Sequence, residues 1–291
     1  MQNAISIDLE DWYQGLTSTS QRVDDWPTYE DRVVDSTRRL LDLFDRAETK
    51  ATFFVLGYVA DKFPMLIRDV AEAGHEIGVH GYYHRQVSRL TPEAFREDVV
   101  RGRAAVESAG GRKTVGHRAP MFSINGSSLW ALDVLHELGF RYDSSVFATK
   151  NMLYGYPDAP RFPYYPLNSA DFVEFPLATV RVWGRNWPVA GGFYLRALPY
   201  PIFRRALQQI NAEGKPAVIY LHPWDLDTGQ PYPNPTLRER FTHYYNLRTT
   251  ERKLKALLRD FEFGPLVDLL DDDGFAEVIE HHGDSGTAGT G

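Results

Sequence analysis

The feature that most constrains this chain is an alternation of two patterns. Short β-branched or aromatic runs recur at Ala4–Asp8, Ala51–Leu56, Glu76–His80, Val115–Arg118, Phe140–Asp143, Phe172–Val180 and Ala217–His222. Between them lie longer segments of helical period, which is the pattern of parallel β/α units. The segment Asp31–Arg46 gathers Val34, Leu40, Leu41 and Phe44 on one face, so it is expected to lie on a sheet. Lys62–Ala73 repeats the pattern with Gly74 as its C-cap, and Ser127–Leu138 ends at Gly139. Thr91-Pro92 supplies a capping hydroxyl and a first-turn proline for a helix running to about Ser108. Strands nearly all separated by helices predict an α/β fold, a closed or nearly closed β/α barrel, with an open doubly wound sheet as the alternative. One domain over residues 1–280 is the natural size for such a barrel. From Phe147 to Pro199 the helix signals thin and aromatics and prolines crowd together, as in Tyr154-Gly155-Tyr156-Pro157 and Arg161-Phe162-Pro163-Tyr164-Tyr165-Pro166. This stretch reads as an insertion at one end of the barrel, serving as a substrate wall, an oligomer contact or a packed loop.

Asp8, His80, Arg118, Asp143 and His222 each stand at the C-terminal end of a different predicted strand. In a β/α barrel those ends share one rim, and active sites are built there. The chain contains no cysteine, which excludes disulfides, thiolate zinc sites, iron–sulfur clusters and cysteine nucleophiles. Any metal must therefore be held by nitrogen and oxygen. Asp8-Leu9-Glu10-Asp11 brings three carboxylates together directly after an apolar strand, although alone it reads equally well as a solvated turn. His80 and His84 lie four residues apart across a strand end and its turn, a spacing that lets both nitrogens converge on one ion. With a neighbouring carboxylate they form a set suited to Zn²⁺, Co²⁺, Fe²⁺ or Ni²⁺, with positions left for water.

A net charge of −7 argues against a general nucleic-acid or anionic-membrane binder. No apolar stretch is long enough to span a bilayer, and the first residues lack the pattern of a secretory signal, so the expected location is cytoplasmic. The Gly/Ser/Thr-rich tail, 281–291, is expected to be disordered.

Five short motifs, in order, resemble the polysaccharide deacetylases with a NodB homology domain. They are Asp8-Leu9-Glu10-Asp11, His80-Gly81-Tyr82-Tyr83-His84, Arg118-Ala119-Pro120, Tyr142-Asp143-Ser144-Ser145 and Leu221-His222-Pro223. The resemblance covers most of the chain and implies a distorted β/α barrel. Within the family the chain is most similar to allantoinase-like and intracellular peptidoglycan deacetylase-like proteins. Tyr156-Pro157-Asp158-Ala159-Pro160-Arg161 and Ala190-Gly191-Gly192-Phe193-Tyr194-Leu195-Arg196 look like the C-terminal extension of exopolysaccharide-locus members, here roughly 147–280.

The resemblance implies that Asp8 is the catalytic base, His222 the general acid, and His80 and His84 two ligands of a divalent metal, Zn²⁺ first among the candidates. It implies that Arg118 orients Asp8 and that Asp143 supports the rim or tunes a histidine. The family's third ligand directly follows the base, where this chain has Leu9. Glu10 is the favoured replacement, because side chains two apart on a strand point the same way, and Asp11 is the alternative. The implied reaction removes an acetyl group from an N-acetylated sugar in glycan or cell-envelope biosynthesis and releases acetate. Two other readings stay open: an amidohydrolase acting on a small cyclic or linear amide, and a non-catalytic glycan-binding protein, for which Leu9 is the motive. The expected partner is an acetylated sugar, no substrate-binding residue is assigned, and a homo-oligomer is compatible with the branch. His75 and His117 read as structural, His136 lies on a helix, and His243 falls in a polar C-terminal region. Trp183 and Trp187, flanking Arg185, fit a sugar platform and ordinary packing equally well.

Overall fold

A computed structural model describes residues 1–149, 155–167, 169–270 and 277–278. The tail at 281–291 and Tyr154 lie outside the described residues.

β1 (Asn3–Leu9) is buried along its whole length and has strand neighbours on both sides. β2 (Thr52–Val55), β3 (Glu76–Val79), β4 (Gly116–His117) and β5 (Tyr142–Asp143) follow it in parallel on one side. β10 (Val218–Leu221) pairs parallel on the other side, and β11 (Phe263–Gly264) pairs with the start of β1. Beyond β5 come β7 (Val173–Glu174), then β6 (Tyr164–Tyr165) running antiparallel, then β12 (Glu277–Val278). The chain leaving β7 curls back to β10, where the Ala178 N–H donates to the Val218 carbonyl at 2.9 Å and Gly191 bridges Tyr220. The sheet is thus a curled, nearly closed parallel barrel, as the alternation predicted.

Two predicted elements divide. The run Phe172–Val180 is two strands, because Pro176 cannot donate a ladder bond. After it, β8 (Thr179–Val182) pairs with β9 (Arg185–Pro188) in a separate hairpin. The helix expected over Lys62–Ala73 breaks at Phe63, so that α3 (Gly57–Lys62) ends and α4 (Pro64–Glu72) begins with its proline in the first turn.

Helices cover the outer face of the sheet. After a single turn, α1 (Trp12–Gly15), comes α2 (Val33–Arg46), which buries Leu40, Leu43 and Phe44. Each such side chain contributes about 1.5–3 kcal/mol. α5 (Pro92–Gly110) is capped by the Thr91 hydroxyl, and Gly111 closes it at φ 67°. α6 (Trp130–Glu137) completes the amino-terminal set. α7 (Gly192–Ala197), α8 (Tyr200–Ala212), α9 (Leu237–Glu239) and α10 (Thr250–Asp260) belong to the C-terminal half.

Strand pleating decides which side chains reach the barrel interior. Phe53 points outward to Phe44 and His75, whereas Phe54 points inward to Tyr142 and the Arg118 guanidinium. Ser6 and Asp8 share the inward face of β1, and both meet Arg118.

Candidate active site

Arg118 and Asp8 form the floor of the site, and both are buried. Arg118 Nη1 donates to Asp8 Oδ1 at 2.8 Å and to Ser6 Oγ at 2.6 Å. Its Nε donates to the Ser144 carbonyl at 2.8 Å and its Nη2 to Ser144 Oγ at 2.7 Å. A guanidinium engaged on every side fixes the orientation of the carboxylate it holds. Removing one partner of such a buried pair costs about 3–5 kcal/mol.

Glu10, His80 and His84 are buried above this floor, with one donor atom from each lying within 4.8 Å of the others. His80 Nδ1 donates to the Arg118 carbonyl at 2.8 Å, which leaves its Nε2 as the lone-pair nitrogen. Burial, together with the charge of His84, pushes the His80 pKa well below the ordinary imidazole range, so it is held in the neutral state a metal requires. Burial would raise the Glu10 carboxyl, but His84, His222 and His80 outweigh it and hold its pKa below the usual value. Glu10 Oε2 lies 2.8 Å from His84 Nε2, yet among the described residues neither Glu10 Oε2 nor His84 Nδ1 has a partner in hydrogen-bonding geometry. Buried polar atoms left in this state are costly, and a cation seated among the three side chains would satisfy the carboxylate. The donor set therefore fits a divalent metal.

The turn that carries the histidines is strained. Gly81 sits at φ 68° and His84 at φ 54°, a left-handed conformation that non-glycine residues rarely adopt. A Cβ on Gly81 would approach Asp98 Oδ2 of α5 to 2.7 Å, and that carboxylate accepts the Tyr82 N–H at 2.8 Å. α5 thus clamps the turn from outside.

Asp11, the alternative third donor, is engaged elsewhere. It accepts N–H bonds from Trp12 and Arg32 at 2.8 Å and from Val33 at 3.0 Å, capping α1 and the start of α2 together. Burial pushes its carboxyl up to about 6 despite those bonds. Leu9 faces the opposite way and is fully buried.

His222 follows β10 and faces the two carboxylates, with Nε2 3.6 Å from Glu10 Oε1 and 3.9 Å from Asp8 Oδ2. Its Nδ1 points to Asp225 Oδ2 at 3.3 Å, and its own N–H donates to the same oxygen at 2.9 Å. Asp225 is in turn paired with the buried Arg196. Burial would raise the Asp225 carboxyl, but Arg196 and His222 hold it at about 2. Burial would likewise lower the His222 pKa, but Asp225, Glu10 and Asp8 prevail and raise it. Trp224 stacks on His222 at 4.2 Å and on His243 at 3.9 Å, and its Nε1 donates to Glu10 Oε1 at 3.3 Å.

These groups line a cavity of about 390 Å³ walled by Leu16, Thr17, Met121, Phe122, Phe193, Tyr194, Tyr220 and Phe241. Met121 and Phe122 adopt φ 56° and 48°, a second strained turn beside the site.

The structure brings Asp8, Glu10, His80, His84, Arg118 and His222 together, but not Asp143. Asp143 is fully buried on the outer side of the sheet, where its Oδ1 accepts from His117 Nδ1 at 2.7 Å and from Ser145 Oγ at 2.8 Å. His117 and Asp143 are register partners on β4 and β5, so they share a face, and that face packs on Phe95 of α5. Position at a strand end selects the rim, but pleat parity selects the side. Glu174, pushed well above the carboxylate range by burial and the Asp143 charge, completes this outer cluster. His75 is also on the outside, where its Nδ1 accepts the Ala51 N–H at 3.1 Å.

Sequence reasoning missed Asp225, Arg196, Trp224 and His243. For Asp225 a signal existed. In His222-Pro223-Trp224-Asp225 a carboxylate stands three residues after the histidine, the spacing of a capping box, and both reciprocal bonds form. Trp183 and Trp187 do not line the cavity.

Residues 21–142 match the family described as polysaccharide deacetylase, and residues 144–271 match a domain of unknown function, DUF3473. Asp8 and Glu10 precede the first match, while His222, Trp224 and Asp225 lie in the second. A peptidoglycan deacetylase-like protein of Gibberella zeae is 31% identical over 136 residues, covering 46% of this chain and 38% of that protein. A chitooligosaccharide deacetylase of Bradyrhizobium sp. is 36% identical over 101 residues, covering 34% of this chain and 43% of that protein. The chain thus spans less than half the length of these relatives. Among solved structures, a candidate polysaccharide deacetylase from Mycobacterium smegmatis aligns with TM-score 0.60 at 23% identity, over 92% of this chain and 88% of that one. A CE4 family pseudoenzyme from Bacillus anthracis aligns at 0.50 with 13% identity, over 96% and 69%. Both likenesses are of fold.

Proposed function

We propose that this chain, which carries a polysaccharide deacetylase domain over residues 21–142, is a metal-dependent hydrolase that removes the acetyl group from an N-acetylated sugar. One observation carries the reading. A carboxylate fixed by a buried arginine, a carboxylate–imidazole–imidazole donor set and a histidine backed by its own carboxylate all face one cavity.

Glu10, His80 and His84 would hold the metal, with Zn²⁺ the first candidate. When bound, the ion supplies Lewis acidity toward the acetyl oxygen and lowers the pKa of water. The protein's own groups divide the remaining work. Asp8 keeps Oδ1 on Arg118 and leaves Oδ2 to accept a proton from the attacking water. His222, whose pKa burial would lower but Asp225, Glu10 and Asp8 raise, delivers a proton to the sugar nitrogen as the C–N bond breaks, because an unprotonated amine is a very poor leaving group. The products are acetate and a free amine. Trp224 keeps the imidazole plane fixed while donating to Glu10, and the aromatic walls suit the apolar faces of a sugar ring.

The test is acetate release from N-acetylglucosamine oligomers. Activity is expected to vanish on chelation and return with Zn²⁺ or Co²⁺. Activity unaffected by exhaustive chelation would contradict the metal assignment, and turnover of ureides in preference to acetamido sugars would contradict the substrate class.

A further inference from the structure

The net charge of −7 conceals a region of the opposite sign. Between Glu174 and Glu213 there is no acidic residue, while Arg181, Arg185, Arg196, Arg204 and Arg205 all fall within that span. Arg196 and Arg204 are paired, with Asp225 and Asp260. Arg181, Arg185 and Arg205 are exposed and have no side-chain ion pair or hydrogen bond among the described residues. Arg181 and Arg185 flank the hairpin tip on opposite faces, since Arg181 opposes Asn186 and Arg185 opposes Val182, and Gln209, one turn after Arg205 on α8, donates to the Arg181 carbonyl at 3.1 Å.

The β8–β9 hairpin in this neighbourhood ends on Trp183-Gly184, at φ 49° and 76°. A two-residue turn with both positions left-handed favours Asn-Gly, and a tryptophan there is strained. Folding alone therefore does not select Trp183. It gains no compensating burial either, since it is 93% exposed; Trp187 is 52% exposed and Ile202 of α8 is 56% exposed. An exposed tryptophan at a strained tip, a second beside it and three unpaired arginines form the composition that anchors proteins at the headgroup level of a bilayer.

We propose that the β8–β9 hairpin docks on a membrane surface bearing anionic headgroups, with Trp183 inserted at the interface and Arg181, Arg185 and Arg205 facing lipid phosphates. The overall negative charge argues against adsorption through the surface at large, but not against contact through this patch. At physiological salt, charges beyond about 8 Å are screened, so the local patch governs contact.

The experiment is co-sedimentation of the full chain with phosphatidylcholine vesicles, with and without about 30% phosphatidylglycerol. Binding is expected only to the anionic vesicles and should weaken as salt rises. The decisive variant is Trp183→Asn, which suits the turn better than tryptophan. It is expected to keep or raise the melting temperature while lowering vesicle partition roughly tenfold. Arg181→Gln and Arg185→Gln should each lower partition by about fivefold. The proposal is overturned by absence of binding to anionic vesicles, by equal binding to neutral ones, or by unchanged partition in Trp183→Asn. A Trp183→Asn variant that instead loses self-association or oligosaccharide binding, with no lipid binding in the parent, also overturns it.

Discussion

Two buried acid–base pairs stand one residue apart in this barrel and do different things. Arg118 reaches inward to Asp8 at the floor of the cavity, while His117 reaches outward to Asp143 beneath α5. Both carboxylates lie at or next to the last residue of a strand, both are buried, and both hold a basic side chain at 2.7–2.8 Å. Only parity separates them. The inner pair orients a group that faces the cavity, and the outer pair lies between helix and sheet. Inner substitutions should therefore move catalysis, and outer ones stability.

The largest effect is expected from removing a donor of the cation set. His80→Ala should lower acetate release by about 10³-fold or more while leaving the fold intact, checked by activity and metal content together. Next comes Asp225→Asn. The Asp225 charge helps raise the His222 pKa, so its loss should move the alkaline limb of the rate profile to lower pH and reduce kcat by roughly 10–100-fold. An unshifted limb would separate Asp225 from the acid.

On the outer face one titrating group is His75, whose pKa burial lowers from 6.5 to about 4. The unfolded chain takes up this proton first as pH falls. Its contribution to stability is thus complete above pH 6.5 and is lost progressively down to about 4, by about 3 kcal/mol in all. His75→Gln should flatten that window in denaturant titrations without touching the activity profile. The smallest effect is expected from Asp143→Asn, a loss of about 1–3 kcal/mol in unfolding free energy.

Much of this was legible in the sequence. The alternation pointed to the barrel, Asp8, His80, Arg118, Asp143 and His222 stood out at predicted strand ends, and His84 by its four-residue spacing from His80. Period-2 reasoning favoured Glu10 over Asp11, and the structure groups Glu10 with the two histidines while Asp11 caps helices. What was hidden depends on contacts far apart in the chain. Asp143 could not be assigned a face until β4 and β5 were paired. Arg196 meets Asp225 across 29 residues, and His243 reaches Trp224 from a segment without periodicity. The division of Phe172–Val180 followed from Pro176, which was visible but was outweighed by its β-branched and aromatic neighbours.

The most direct measurement compares acetate release from an N-acetylglucosamine oligomer by Asp8→Asn and Asp143→Asn at matched folded fraction. Asp8→Asn is expected to fall to about 1% of the parent or below, as the loss of a positioned base requires, while Asp143→Asn keeps most of its activity. Near-parental activity in Asp8→Asn, or a comparable collapse in folded Asp143→Asn, would contradict the account.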